Sequence, residues 1–170
     1  MKTSPNISQM QPSATIAVST LAKKLTREGR DIVDLSAGQP DFDTPKHISD
    51  GGIAGIQDGA TRYTPTPGTL ELRTAVAAFH TRETTHAIDP AGIVVSNGAK
   101  QSIFNACFCL FGPGDEVLIG SPYWTSYPEI IGLARATPVP VAGPESADFK
   151  LTPEVLEAAT TDRTRGLLFS

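Results

Sequence analysis

The sequence predicts an α/β fold in which a mainly parallel sheet carries helices on its faces. From residue 93 onward, short apolar segments alternate with helical patterns, as in successive βα units. Gly- and Pro-rich turns follow the apolar segments. The predicted strands are 93–95, 116–119, 139–142 and a fourth that begins at 166, and the predicted helices are 100–111, 124–134 and 153–160.

The N-terminal part of the chain has a different pattern. Pro5 and Pro12 interrupt residues 1–18, which we expect to form an irregular arm. A helix is predicted over 19–28 because Ser or Thr can cap its start and a glycine follows its end. The remaining predictions are a strand at Ile32, Val33 and Leu35, a helix after Pro45, a loop over 60–68 and a helix over 69–82.

The helix after Pro45 is expected to depend on packing. Gly51, Gly52 and Gly55 lie within it, and each costs about 1 kcal/mol relative to alanine in a helix interior. Proline in the first turn nevertheless favours a helix start there.

Composition excludes several classes of protein. The 170 residues are 39% hydrophobic and 19% charged with a net charge of −4, unlike a disordered chain or a coiled coil. The acidic balance argues against nucleic-acid binding, and no apolar stretch approaches the ~18 residues of a membrane span. Cys107 and Cys109 are expected to be buried free thiols in the cytoplasm, and no metal site is expected.

The turn after the predicted strand 93–95 is a candidate anion site. Gly98, Ala99 and Lys100 begin a helix at the carboxyl end of a strand. Backbone N–H groups there have no intrahelical partner, and the helix dipole favours a negative charge. The alternative is an ordinary βα turn in which the glycine serves only the backbone geometry.

The only tryptophan, Trp124, follows the next strand, 116–119. A planar ligand could stack on its indole ring, and the indole N–H could donate to a carboxylate. The alternative is a tryptophan packed in the core or at a domain interface. Together with the anion site, the ring suggests a flat, phosphorylated cofactor.

Six segments in order resemble the class I, fold-type I aminotransferases that use pyridoxal 5′-phosphate (PLP). The likeness is closest to the bacterial aspartate aminotransferase subgroup Iβ. The segments are Pro-Ser-Ala-Thr (12–15), Ser-Ala-Gly-Gln-Pro-Asp-Phe-Asp-Thr-Pro (36–45), Tyr-Thr-Pro-Thr-Pro-Gly with Leu72 and Arg73 (63–73), Ser-Asn-Gly-Ala-Lys-Gln (96–101), Pro-Gly-Asp-Glu-Val (113–117) and Ser-Pro-Tyr-Trp-Thr-Ser-Tyr-Pro (121–128).

The resemblance implies a fold and a domain division. The fold is the fold-type I three-layer αβα large domain with a mainly parallel sheet, incomplete at the C-terminus. Residues 1–18 would be an N-terminal arm, 19–45 the first segment of a small domain, and 46–170 the first half of the PLP-binding large domain.

The resemblance also implies the cofactor contacts. The backbone of Gly98, Ala99 and Lys100 would hold the PLP phosphate. Trp124 would stack on the pyridine ring and help to hold the substrate α-carboxylate. Tyr63 would reach the cofactor phosphate of the partner subunit in a homodimer; its alternative is a loop tyrosine packed on its own subunit.

Substrate contacts are implied by the same likeness, with amino acids and 2-oxo acids as substrates. Gly38 would present its backbone to the α-carboxylate, and Lys100 would meet the distal carboxylate of acidic substrates, unless it is only a solvated first-turn lysine. Ser13 and Thr15 would lie in an arm that folds over the site. Gln11 stands where family members that use prephenate carry lysine.

The residues that perform the chemistry in this family have no match within the 170 residues. The Schiff-base lysine, the carboxylate partner of the pyridinium nitrogen and the carboxylate-binding arginine all lie beyond the position that corresponds to Ser170. We therefore expect the N-terminal part of an aminotransferase, under half of it, that is aggregation-prone or partly folded and inactive alone. Alternatives are another fold-type I enzyme (an aromatic aminotransferase or a C–S lyase) and a truncated, non-catalytic chain.

Overall fold

The structure is a computed structural model that describes residues 2–11 and 13–170, so Pro12 lies outside the described part. Seven α-helices and three strands are present there. The helices are α1 (Pro5–Ser8), α2 (Ala14–Arg27), α3 (Lys46–Gln57), α4 (Leu70–Thr84), α5 (Gly98–Leu110), α6 (Ser126–Leu133) and α7 (Pro153–Ala159); the strands are β1 (Glu116–Ser121), β2 (Thr137–Ala142) and β3 (Thr164–Leu168).

Two compact units make up the chain. The first comprises the chain up to Ala37 together with Ile103–Ser170, and the second is Gly38–Ser102. The first unit contains the sheet, in the order β2-β1-β3, with both pairs parallel. The predicted α/β class and the parallel sheet are confirmed.

The core of the first unit surrounds the central strand β1. Residues 116–120 of this strand are buried, which is the pattern of a parallel strand covered on both faces. Ile131 of α6 is fully buried against Val117 and Ile119. The edge strand β2 carries Pro138 and Pro140 in register with β1, in agreement with the expected edge or irregular strand.

A polar cluster fixes the start of β1 to the turn before β3. The carboxylate of Glu116 is 11% exposed and accepts hydrogen bonds from Thr161 Oγ1 (2.7 Å) and from Arg163 Nε (2.9 Å). These bonds, above all the one from Thr161, hold the pKa of Glu116 below its ordinary value of 4.5. A register irregularity lies between Glu116 and Val117, so the cluster sits where the pairing with β3 begins.

The second unit has little buried apolar surface. Ala77 is its one buried residue, and large apolar side chains on α3, such as Ile53 and Ile56, are exposed. The helix α3 forms at the predicted place despite its three glycines, but none of its residues is buried, so the packing on which we expect it to depend is not present among the described residues.

Two predicted strands are absent from the described residues. Ile32, Val33 and Leu35, and likewise residues 93–95, have no ladder partner, and Val33 is 82% exposed. An apolar sequence predicts extended backbone, but a strand requires a second chain segment beside it.

Three further expectations are corrected. Part of the irregular arm is helical, since α1 lies within it and α2 begins at Ala14 rather than near Ser19. An earlier cap is the reason, because Ser13 Oγ accepts from the N–H of Ile16. Cys107 is a buried free thiol as expected, but Cys109 is exposed. Residues two apart on a helix point in different directions.

Among the described residues, no helix combines the length and the apolar character that a membrane crossing requires.

The buried position of Ile131 leads to a stability prediction. The change Ile131→Ala leaves a cavity beneath the sheet and should lower the free energy of unfolding by about 2–5 kcal/mol. The matched control is Ile53→Ala, at a residue 54% exposed, which should change it by at most ~0.5 kcal/mol. Urea unfolding at low protein concentration, followed by the fluorescence of Trp124, measures the free energy of unfolding of both variants. An equal loss of this free energy in the two variants would contradict the packing described.

The Glu116 cluster leads to a pH prediction. Because its folded-state pKa is lowered, the unfolded chain binds the proton more readily, and the stabilisation present above pH 4.5 is lost as pH falls through the folded pKa. The urea midpoint should therefore fall less steeply below pH 4.5 in Glu116→Gln than in the wild type. Glu157→Gln, at an exposed glutamate of α7, is the control and should follow the wild-type profile. Parallel profiles of the urea midpoint against pH for Glu116→Gln and the wild type would contradict the proposed role of the Glu116 carboxylate.

Candidate functional site

The residues expected at the site fall in both units. Ser13, Thr15 and Trp124 belong to the first unit. The second unit contains Gly38, Tyr63 and the turn Gly98–Lys100.

The turn at the start of α5 depends on the backbone conformation of one glycine. Gly98 has a φ of +78°, a left-handed conformation that favours glycine, and a Cβ added there would meet no atom within 4 Å. The backbone conformation, and not lack of space, therefore requires the glycine. The Gly98 N–H donates to the carbonyl of Ser96 at 2.8 Å. The next two backbone amides, of Ala99 and Lys100, belong to the first turn of the helix, where N–H groups have no intrahelical partner.

A side chain not identified from the sequence shapes this turn. Oε1 of Gln101 accepts a hydrogen bond from the N–H of Asn97 at 2.6 Å. The contact joins the residue before the helix to its first turn, in the manner of a capping interaction. A glutamine four residues after an asparagine at a predicted helix start is the signal that could have identified it.

Trp124 lies at the carboxyl end of β1, as the sequence predicted. Its ring meets the ring of Tyr127 edge to face, with centroids 5.6 Å apart, and its carbonyl accepts from the N–H of Tyr127. The indole is 37% exposed, while Tyr127 is buried in the core. The ring is thus supported on one edge and still accessible to solvent.

Tyr63 and Gly38 lie in exposed loops of the second unit. The side chain of Tyr63 is fully exposed, and a Cβ added at Gly38 would meet no atom within 4 Å. Exposure of Tyr63 is compatible with a contact to another subunit.

A short turn fixes the chain just before the Gly38 loop. Asp34 Oδ1 accepts from the N–H of Ser36 at 2.9 Å and from its Oγ at 2.6 Å. These two bonds, the hydroxyl bond first, lower the pKa of the Asp34 carboxyl from its ordinary value. The carboxylate is therefore ionised near neutral pH and holds the turn.

The two arm residues have different surroundings. Ser13 Oγ is the N-cap of α2, at 3.3 Å from the N–H of Ile16, so its hydroxyl already has a structural role. Thr15 is half-buried in the first turn of the same helix.

Comparison with known proteins identifies the family. Residues 30–170 match the family model described as aminotransferase class I and II. A Petunia hybrida protein named bifunctional aspartate aminotransferase and glutamate/aspartate-prephenate aminotransferase is 47% identical over 97% of this chain and 34% of its own length. The aspartate aminotransferase of Geobacillus stearothermophilus is 40% identical over 100% of this chain and 43% of its own length.

Solved structures agree with the sequence relatives. The aspartate aminotransferase of Thermus thermophilus with maleate superposes with a TM-score of 0.93 at 40% identity, over 98% of this chain and 44% of that one. The Rhizobium meliloti aspartate aminotransferase gives a TM-score of 0.92 at 41% identity, over 98% of this chain and 42% of that one. This chain thus spans about two fifths of the length of these structures, and its fold is that of the fold-type I aminotransferases. The chain belongs to the aminotransferase class I and II family.

Proposed function

We propose that residues 1–170 form the N-terminal part of a PLP-dependent aminotransferase that exchanges the amino group between L-aspartate and 2-oxoglutarate, giving oxaloacetate and L-glutamate. The observation that carries the proposal is the start of α5, where Gly98 in the left-handed conformation opens a helix of 13 residues. Family membership and the names of the relatives support the reaction. The proposed assembly is a homodimer, and the cytoplasmic location stays a prediction.

The start of α5 fits the phosphate of PLP. The helix dipole places about half a positive charge there, and backbone N–H groups of the first turn point toward an approaching anion. Because the Gly98 N–H already donates to Ser96, we expect the phosphate to rely chiefly on the backbone of Ala99 and Lys100.

Trp124 would orient the cofactor ring. When bound, PLP supplies an electron sink that stabilises negative charge at the substrate Cα. The role of Trp124 is to hold the ring by stacking, and its contact with the buried Tyr127 limits the rotation of the indole. The backbone at Gly38 would approach the α-carboxylate, since no side chain stands in the way.

Lys100 is the proposed determinant for acidic substrates. It is exposed in the first turn of α5, next to the proposed phosphate site. An ammonium group there can pair with the second carboxylate of aspartate or glutamate. The Thermus thermophilus relative was solved with maleate, a dicarboxylate, which supports a site for two carboxylates.

Prephenate is a second candidate acceptor because several relatives carry it in their names. The resemblance implies a lysine at the position of Gln11 in prephenate-using members. The backbone N–H of Gln11 donates to Glu129 Oε2 at 3.3 Å, so the arm contacts α6 there. The neutral side chain favours the aspartate reaction over the prephenate reaction.

No residue of this chain is proposed to react chemically. The lysine, aspartate and arginine required for transamination are proposed for the part of the protein that corresponds to the remaining length of the relatives. The alternative, another fold-type I enzyme such as an aromatic aminotransferase or a C–S lyase, would use the same phosphate turn and tryptophan with a different substrate.

A chimera tests the proposed reaction. Residues 1–170 are joined to the C-terminal part of the Thermus thermophilus aspartate aminotransferase, whose fold matches closely. The chimera should convert aspartate and 2-oxoglutarate to oxaloacetate and glutamate, whereas the 170-residue chain alone should show no activity above the blank. Activity of the chain alone, or a folded chimera that binds PLP but does not transaminate, would contradict the proposal.

The specificity proposal is tested with Lys100→Met in the same chimera. Loss of one charged contact should lower kcat/KM for aspartate by about tenfold to a hundredfold. The value for leucine, which has no second carboxylate, should stay unchanged. Lys150→Met, at an exposed lysine, is the matched control and should alter neither value. An equal loss for both substrates would assign Lys100 to phosphate binding alone.

A further inference from the structure

We propose that Arg73 is a positioning residue that couples the loop of Tyr63 to the segment leading into Gly98, so that phosphate binding by both elements depends on it. The inference rests on the proposed function. All of the contacts that carry it lie within the second unit.

The guanidinium of Arg73 joins two segments that flank α4. Its Nε donates to the carbonyl of Gly68 at 3.3 Å, and its NH1 nitrogen donates to the carbonyl of Pro90 at 2.9 Å. Gly68 ends the loop that carries Tyr63, and Pro90 begins the segment that leads to Gly98. One half-buried side chain therefore bridges both.

The same two segments also meet directly. The N–H of Val95 donates to the carbonyl of Pro67 at 3.0 Å. A Cβ added at Gly68 would lie 2.8 Å from a methyl carbon of Val95, and the φ of Gly68 is +100°. The glycine thus permits a close approach of the loop to the extended segment, and Arg73 bonds the carbonyl of the same glycine.

Arginine is suited to this role because its planar guanidinium donates in several fixed directions. A lysine ammonium is a point donor on a flexible stem and cannot reproduce that fork. Within these 170 residues Ala77 is the one buried residue of the second unit, so the bridge of Arg73 adds to an apolar packing that is small there.

The proposed consequence is a shared support for two cofactor sites. In the proposed homodimer, the Gly98 turn would serve the subunit's own site and Tyr63 would serve the partner's. A single clamp at Arg73 would then affect phosphate binding at both sites without touching the reacting atoms.

The test uses Arg73→Met, Arg73→Lys and the control Arg82→Met in the PLP-loaded chimera. Arg82 lies on the same helix, is 69% exposed, pairs with its neighbour Glu83 and lies over the ring of Phe79 on the same helix. Arg73→Met removes a charged hydrogen bond and should therefore raise the Kd for PLP by about tenfold or more. The kcat at saturating PLP should stay unchanged. The Kd for PLP of Arg73→Lys should lie between those of the wild type and Arg73→Met. Arg82→Met should have the wild-type Kd.

A double-mutant cycle separates positioning from general destabilisation. Tyr63→Phe should raise the Kd for PLP in the wild-type background and much less in Arg73→Met, because the loop is then already displaced. Additive effects would overturn the inference.

Amide hydrogen exchange tests the clamp independently of the cofactor. Arg73→Met should increase exchange over 93–97, where Val95 donates to Pro67, and Gly68→Ala should do the same by steric displacement. If Arg73→Met fails to fold, Arg73→Lys and Gly68→Ala still give the Kd for PLP and the exchange over 93–97. Unchanged exchange contradicts the clamp, whereas a wild-type chimera that binds no PLP contradicts the proposed function instead.

Discussion

Strand β1 pairs in parallel with a neighbour on each side, and this arrangement determines where the loops of the first unit can lie. Because all three strands run the same way, crossovers join β1 to β2 and β2 to β3, and the loops after the strands emerge at one edge of the sheet. Trp124 follows β1 at that edge. The buried run 116–120 and the α6 side chains that cover it are therefore prerequisites for the proposed stacking position.

Local sequence patterns predict the elements that are stabilised by capping and short-range contacts or by packing within the first unit. Capping residues and apolar runs mark the helices α4 to α7 and the strands of the sheet, and these patterns predict them. The apolar residues 93–95 predicted a strand that has no ladder partner among the described residues. The cap of α2 at Ser13 was missed because two later residues, Ser19 and Thr20, are equally good caps by type.

The candidate site was predictable in residue type but not in geometry. A glycine at the start of α5 indicates a turn, yet only the structure reveals a φ of +78° with open space around it. Arg73 belongs to a segment that carries the family resemblance, but its bridge between Gly68 and Pro90 spans 17 residues of sequence to the farther partner and has no local signature. Polar contacts of this kind order loops of the second unit, where apolar burial is small.

The central claim is that the start of α5 binds the phosphate of PLP. A crystal structure of the PLP-loaded chimera tests it most directly. We expect phosphate oxygens within about 2.7–3.2 Å of the backbone nitrogens of Ala99 and Lys100, with the ring of Trp124 against the pyridine. A phosphate bound elsewhere, with the first turn of α5 facing only water, would contradict it.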